Sequence, residues 1–294
     1  MKLNYIKTVT CISAVASVVL VSCHGNNNSS STTPNGADTL TKATAQKGVD
    51  AADQDSETYL LPSPLQIASI FKNSGLTYEP GITAPFKDAS QFNSQYEQAL
   101  SMGIYSADLS YCILNKQSDD AVKYLNIVKS LSDKLGFGSV FESNSFLKRF
   151  QGNMNNTDSL ASLIAELQME TDTYLENNKQ KYIGVIAFAG AWVESMHIGG
   201  AVYQKGKNTG VSSRISEQMN ILEGLVKLLN KYQSSDTHIA GLLTELNVIK
   251  KAYEGYDEVK SYNPDSEQPV VLTPEHIDQL GTVVKTLRSK FIAS

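Results

Sequence analysis

The segment 181–203, KYIGVIAFAGAWVESMHIGGAVY, decides the fold of this chain. Residues 182–193 carry no charge, and glycine and alanine recur there among larger apolar side chains. Such a run is shorter than the roughly 20 apolar residues that cross a bilayer, and it predicts a helix buried on nearly all sides. Because only a shell of other helices could bury it, the segment predicts an all-α fold packed around a central helix at about 181–205.

Helical spacing places small residues and one polar pair on the same face of this central helix. Ala187 and Gly190 precede Glu194 and His197 on that face, and small side chains there let a neighbouring helix approach closely. Gly103 lies in a similar run of small residues on another predicted helix, where glycine costs about 1 kcal/mol relative to alanine. Close helix contacts at both glycines are therefore expected.

The remaining helices follow from apolar periodicity and from residues that typically start or end helices. Starts are predicted at Ser63-Pro64, Asp88, Ser118, Thr157, Ser212 or Ser213, Asp236 and Thr273-Pro274, with a short helix inside 137–156. Strict alternation of apolar and polar residues, which is typical of strands, is not found. About eight helices in an irregular bundle are expected over residues 62–294, and the irregular stretch 137–156 would be the joint if there were two bundles.

The N-terminus has the pattern of a secretory signal peptide. Lys2 and Lys7 precede an apolar run at 9–21, which ends in Leu20-Val21-Ser22-Cys23. These last residues resemble the lipobox of bacterial lipoproteins, and the resemblance implies cleavage after residue 22 and lipid attachment to Cys23. An ordinary signal peptide that happens to end near a cysteine is the alternative interpretation.

Residues 23–61 are rich in Asn, Ser, Thr, Gly and Asp, and they predict a flexible tether between the lipid and the domain. His24, and not Asp, follows the cysteine, which by resemblance to lipoprotein sorting rules implies the outer membrane. The tether does not resemble the acidic run that directs some lipoproteins to the cell surface, which favours the periplasmic face over surface exposure. Removal of residues 1–22 would change the formal net charge from −5 to −7. An acidic surface argues against nucleic acid as a partner.

Glu194 and His197 form the most suggestive chemical motif. Their Glu-x-x-His spacing occurs in di-iron carboxylate bundles, which need it on two helices together with further glutamates; here it occurs once. The carboxylates that could join it belong to Glu97, Asp108, Glu166 and Glu170. Two interpretations remain open: a polar pair that satisfies itself, or a tyrosine, inside the core, and a metal or small-molecule site. No cofactor and no catalytic residue is assigned.

Other candidate residues carry weaker signals. Cys112 lies among apolar residues as a core side chain would, while His238 and His276 lie in first turns of helices, where exposure is expected. The tyrosines at 253, 256 and 262 are consistent with packing or with a glycan or peptide groove.

Three segments resemble a group of Bacteroidota lipoproteins with no established activity: LPSPLQIASIFKNSGLTYEPGITAP at 61–85, ALSMGIYSADLSYC at 99–112 and AGAWVESMHIGG at 189–200. The resemblance implies a single helical domain and no functional residues. The leading hypothesis is a non-enzymatic, membrane-anchored binding or scaffolding module for an envelope protein or glycan. The alternative is a small-molecule or metal-binding protein, or an enzyme, centred on Glu194 and His197.

Overall fold

The computed structural model describes residues 61–263 and 270–293, and within these ranges the secondary structure is helical, with no strand. The helices are α1 (Pro64–Asn73), α2 (Gln95–Leu114), α3 (Ser118–Leu135), α4 (Phe146–Gly152), α5 (Thr157–Asn177), α6 (Lys181–Gly206), α7 (Thr209–Lys231), α8 (Ile239–Glu254), α9 (Asp257–Lys260) and α10 (Pro274–Ala293). The predicted all-α class is confirmed. The predicted signal peptide 1–22, Cys23 and the tether up to residue 60 lie outside the described residues.

Helix α6 lies at the centre, as predicted. Of its 26 residues, 18 are buried, because α1, α2, α5, α7 and α10 all pack against it. Within the described residues it is the one helix that is long and apolar enough to cross a membrane, and 89% of its most apolar window is buried inside the domain. The side chains around it form one continuous core cluster, which reaches from α1 to α10.

The closest packing joins α2 to α6 through the two glycines singled out above. A Cβ placed on Gly103 would lie 1.7 Å from the carbonyl oxygen of Ala187, and one on Gly190 would lie 2.1 Å from that of Leu100. Both distances are far inside van der Waals contact and both involve backbone, which cannot move away as a side chain can. The prediction of close contacts at Gly103 and Gly190 is confirmed.

Two predicted helix starts were wrong. Asp88 caps a short 3₁₀ turn at Ala89–Gln91, while α2 begins later, after Ser94, whose hydroxyl and the carboxylate of Glu97 bond each other's backbone amides. This reciprocal capping box is a stronger start signal than a single aspartate. Helix α7 likewise begins before the predicted serines, with Asn208 as its cap.

Two helix ends have the same unusual chemistry. The links from α2 to α3 and from α5 to α6 both read Asn-Lys-Gln, at 115–117 and 178–180. In each link the lysine has a positive φ, 59° and 57°, where glycine is usual, and the asparagine amide donates to the carbonyl four residues earlier at 2.8 Å. These tight turns were not predicted, and neither was the four-residue α9.

Gly190→Ala should lower the free energy of unfolding by on the order of 1–3 kcal/mol, because the added methyl group must push the backbones of α2 and α6 apart. Gly241→Ala in α8 is the matched control, since nothing lies within 4 Å of the added carbon there. Helix propensity should make that variant neutral or up to about 1 kcal/mol more stable. Urea unfolding measures both, and equal effects of the two substitutions would contradict the close contact.

Candidate functional site

The polar residues of α6 meet side chains from two other helices in the core. Glu194 on α6 and Asp108 on α2 are both 0% exposed, and the side chain of Arg288 from α10 is 14% exposed. We call Asp108, Glu194 and Arg288 the ionic cluster. Buried charges are costly unless they are paired, so the bonding inside this cluster decides what it can do.

Glu194 and Arg288 form a two-pronged ion pair. The guanidinium donates from Nε to Oε2 and from Nη2 to Oε1, each at 2.8 Å. This fork geometry is the strongest that an arginine and a carboxylate adopt. Nη2 also donates to the carbonyl oxygen of Ile82 at 3.2 Å. Both oxygens of Glu194 are therefore engaged by a partner within the same chain.

Asp108 is the carboxyl group without a cation of its own. Its Oδ2 accepts a hydrogen bond from the backbone N–H of Ala84 at 3.1 Å, whereas Oδ1 is buried and receives no N–H or O–H. Burial, followed by the negative charge of Glu194, raises the pKa of Asp108 well above its ordinary value. The side chains of Asp108 and Glu194 interact, so a protonated Asp108 can donate a hydrogen bond to Glu194.

His197 shares the face of Glu194, but it has a different partner. Its ring interacts with the backbone of Ile82. Burial, together with the positive charge of Arg288, lowers the pKa of His197 to about 4, so the ring is neutral at neutral pH. The expectation that Glu194 is satisfied by His197 or by a tyrosine was wrong, because Arg288 takes both of its oxygens.

The ionic cluster forms hydrogen bonds to an irregular segment, residues 76–88, which we call the covering loop. Tyrosines on α2 and α3 fasten the same loop: Tyr124 donates to the carbonyl of Ala84 at 2.7 Å, and Tyr105 donates to that of Pro85 at 3.1 Å. The hydroxyl of Tyr111 accepts from the N–H of Glu79 at 2.7 Å. Burial raises the pKa of each of these tyrosines, so the hydroxyl groups keep their protons.

The other predicted carboxylates do not converge on Glu194. Glu166 forms a two-pronged pair with Arg149 at 2.8 and 2.7 Å, Glu170 bonds Ser143, and Glu97 belongs to the cap of α2. Of the four candidates, only Asp108 reaches Glu194. Among residues 61–263 and 270–293, no group of three or more His, Cys, Asp or Glu side chains is placed to hold a metal ion. The Glu-x-x-His motif is therefore not completed in the way that a di-iron bundle requires.

Cys112 and the two remaining histidines of the domain have structural surroundings. Cys112 is buried, as predicted, and burial raises its pKa to about 12, which keeps the thiol protonated. His238 is exposed and stacks on Tyr96. His276 is half-buried, against expectation, because it bonds the carboxylate of Glu258 at 2.7 Å and stacks on the ring of Tyr256.

The tyrosines at 253, 256 and 262 differ in exposure. Tyr256 is buried, Tyr253 is half-buried, and Tyr262 is 38% exposed. Two concave regions stand out elsewhere: an open groove of about 830 Å³ between the end of α6 and the start of α10, and a closed space of about 10 Å³ beside Tyr105 and Phe291. Neither is lined by Glu194 or His197.

Comparison of the chain with protein-family models, with curated proteins and with solved structures finds no match.

Arg288 is the residue that sequence reasoning missed. It directly follows Leu287 on α10, beside the inward stripe that includes Val284 and Phe291, and it is one of only three arginines in the chain. An arginine at the edge of an apolar stripe is a signal for a buried ionic partner. Its partner is 94 residues away in the sequence, so the pairing itself could not be read from local spacing.

Two substitutions of the same kind should have very different effects on stability. Glu194→Gln leaves the guanidinium of Arg288 buried without a counter-charge, and we expect a loss of roughly 3 kcal/mol in the free energy of unfolding. Burial and the charge of Glu194 favour the protonated form of Asp108, and Asp108→Asn replaces this carboxyl group by an amide, which can accept from Ala84 and donate to Glu194. That variant should be within about 1 kcal/mol of wild type at neutral pH, or more stable.

Urea unfolding of wild type and of both variants at about pH 7 measures this contrast. The two substitutions are matched because each converts a buried carboxyl group to its amide. A large loss for Asp108→Asn with little change for Glu194→Gln would show that the charges of the two groups are the reverse of those described.

Proposed function

We propose that the chain is a lipid-anchored protein of the cell envelope, and that its helical domain is a non-enzymatic binding or scaffolding module for another envelope component. The observation that carries the proposal is the bonding of the ionic cluster. Both oxygens of Glu194 accept from Arg288, Asp108 accepts from the N–H of Ala84 in the covering loop, and His197 interacts with the backbone of Ile82 in the same loop. The polar groups at the centre of the domain thus stabilise its fold and leave binding to its surface.

The anchor is proposed from the N-terminal sequence. Cys23 after Leu20-Val21-Ser22 would carry the lipid, and the tether that follows would let the domain move at the membrane surface. We propose the outer membrane because His24 follows the cysteine, and the periplasmic face because the tether does not resemble the acidic run of surface-exported lipoproteins. The resemblance to Bacteroidota lipoproteins supports the same location. The partner would be a protein or a glycan of that compartment.

A metal or small-molecule site at Glu194 and His197 has less support. A metal cation would have to bind the carboxylate oxygens of Glu194, and both of these oxygens already accept hydrogen bonds from the guanidinium of Arg288. The ring of His197 interacts with the backbone of Ile82. A ligand at this position would have to displace Arg288 and the covering loop together.

The test follows wild type, Cys23→Ala and Cys11→Ala in cells. Cys11 lies within the apolar run of the signal peptide, so it is a matched control for loss of a cysteine. We expect wild type and Cys11→Ala to incorporate labelled palmitate, to fractionate with the outer membrane and to cross-link to one envelope component through residues 62–294. Cys23→Ala should lose the label, the membrane fraction and the cross-link.

The two parts of the proposal fail separately. A Cys23→Ala protein that is still labelled and still in the membrane fraction would contradict the anchor. If wild type is anchored but cross-links to each neighbouring protein in proportion to the abundance of that protein, the binding role is contradicted. The Asp108→Asn variant is expected to fold and to form the same cross-link as wild type. This result would show that the cross-link does not depend on the ionic cluster.

A further inference from the structure

The covering loop is the layer between the ionic cluster and solvent. On its inner side, the N–H of Ala84 bonds Asp108 and the carbonyl of Ile82 accepts from Arg288. On its outer side, Gly81, Pro85 and Phe86 are exposed. The other elements around the cluster are helices packed in the core. Displacing this irregular loop is therefore the easiest way for water to reach the cluster.

The charge of the ionic cluster balances only if one proton is present. Two buried carboxyl groups face a single guanidinium, and Oδ1 of Asp108 receives no donor from the described residues. With a proton on Asp108, that group is neutral and can donate to Glu194, whose negative charge matches that of Arg288. Without the proton, one negative charge is buried without a counter-charge, which is unfavourable.

The ionisable groups around Asp108 come from four helices and from the covering loop. They are Tyr105 and Cys112 on α2, Tyr124 on α3, Glu194 and His197 on α6, and Arg288 on α10, with Lys285 of α10 facing His197. On the covering loop itself, Glu79 pairs with Lys205 and Lys87 bonds the carbonyl of Ile292. His197 takes up a proton only near pH 4, and burial keeps Cys112 and Tyr105 protonated to about pH 12.

We propose that the proton held between Asp108 and Glu194 controls whether the covering loop is closed over the ionic cluster. When base in the solvent removes it, the cluster carries one excess negative charge, and the loop opens so that water can reach the two carboxylates. When the pH falls, the proton returns and the loop closes over the neutral Asp108. The covering loop is thus a pH-sensitive element, opening on the alkaline side.

The sign of the effect follows from proton linkage. The folded pKa of Asp108 lies above its unfolded value, so the closed state holds a proton that the open and unfolded states release. Stability from the closed loop is present below the unfolded pKa and is lost as pH rises towards the folded value. One linked proton allows the open population to rise by up to about tenfold per pH unit.

Hydrogen exchange of the full chain between about pH 5 and pH 9, corrected for intrinsic exchange rates, measures loop opening. In wild type, protection of residues 76–88 should fall by up to about tenfold per pH unit, while that of α3 stays constant. In Asp108→Asn the loop should lose this pH dependence, because the amide cannot release a proton. Constant protection of the loop in wild type, or the same slope in Asp108→Asn, would overturn the proposal.

A second measurement needs no variant. Carbon NMR of the side-chain carboxyl groups in wild type should show one buried carboxyl group that titrates well above the ordinary aspartate range, and the amide signals of Glu79 and Ala84 should change in the same titration. If every buried carboxyl group titrates within or below the ordinary range, or if the loop signals do not change with the titration, the proposed control of the loop is wrong.

Discussion

The ion pair between Glu194 and Arg288 is the interaction on which the rest of the domain depends. A lone carboxylate in the middle of α6 would be costly in a helix that is buried on nearly all sides. The pair removes that cost by bringing in α10, the helix farthest along the chain, and it fixes the position of Ile82 through a third hydrogen bond. One interaction therefore joins the central helix, the C-terminal helix and the covering loop.

The close packing of α2 on α6 makes this arrangement possible. Contact at Gly103 and Gly190 brings the two backbones together, and on the same pair of helices Asp108 reaches Glu194. Polar residues in the core then act as anchors for a loop that has no regular hydrogen bonding of its own. This is a structural use of acid, arginine and tyrosine side chains that would otherwise suggest catalysis, and it is consistent with a domain that works through its surface.

Much of the fold was predictable because it follows from local patterns. The uncharged run in α6 required a helical shell, and the small residues at Gly103 and Gly190 required close crossings. The site was only half predictable. Helical spacing put Glu194 and His197 on one face, but the partners of these residues come from Arg288 and Ile82, which are distant in sequence. Lysines replace glycine at two helix ends, so those turns gave no familiar signal.

The central claim is that Glu194 and Arg288 stabilise the domain as a pair, and a double-mutant cycle tests it most directly. The free energy of unfolding is measured for wild type, Glu194→Gln, Arg288→Gln and the double variant, all at about pH 7. A buried two-pronged pair predicts that the double variant loses at least about 2 kcal/mol less than the sum of the two single losses. Single losses that add to within about 0.5 kcal/mol would show that the two side chains do not interact, and would contradict the account.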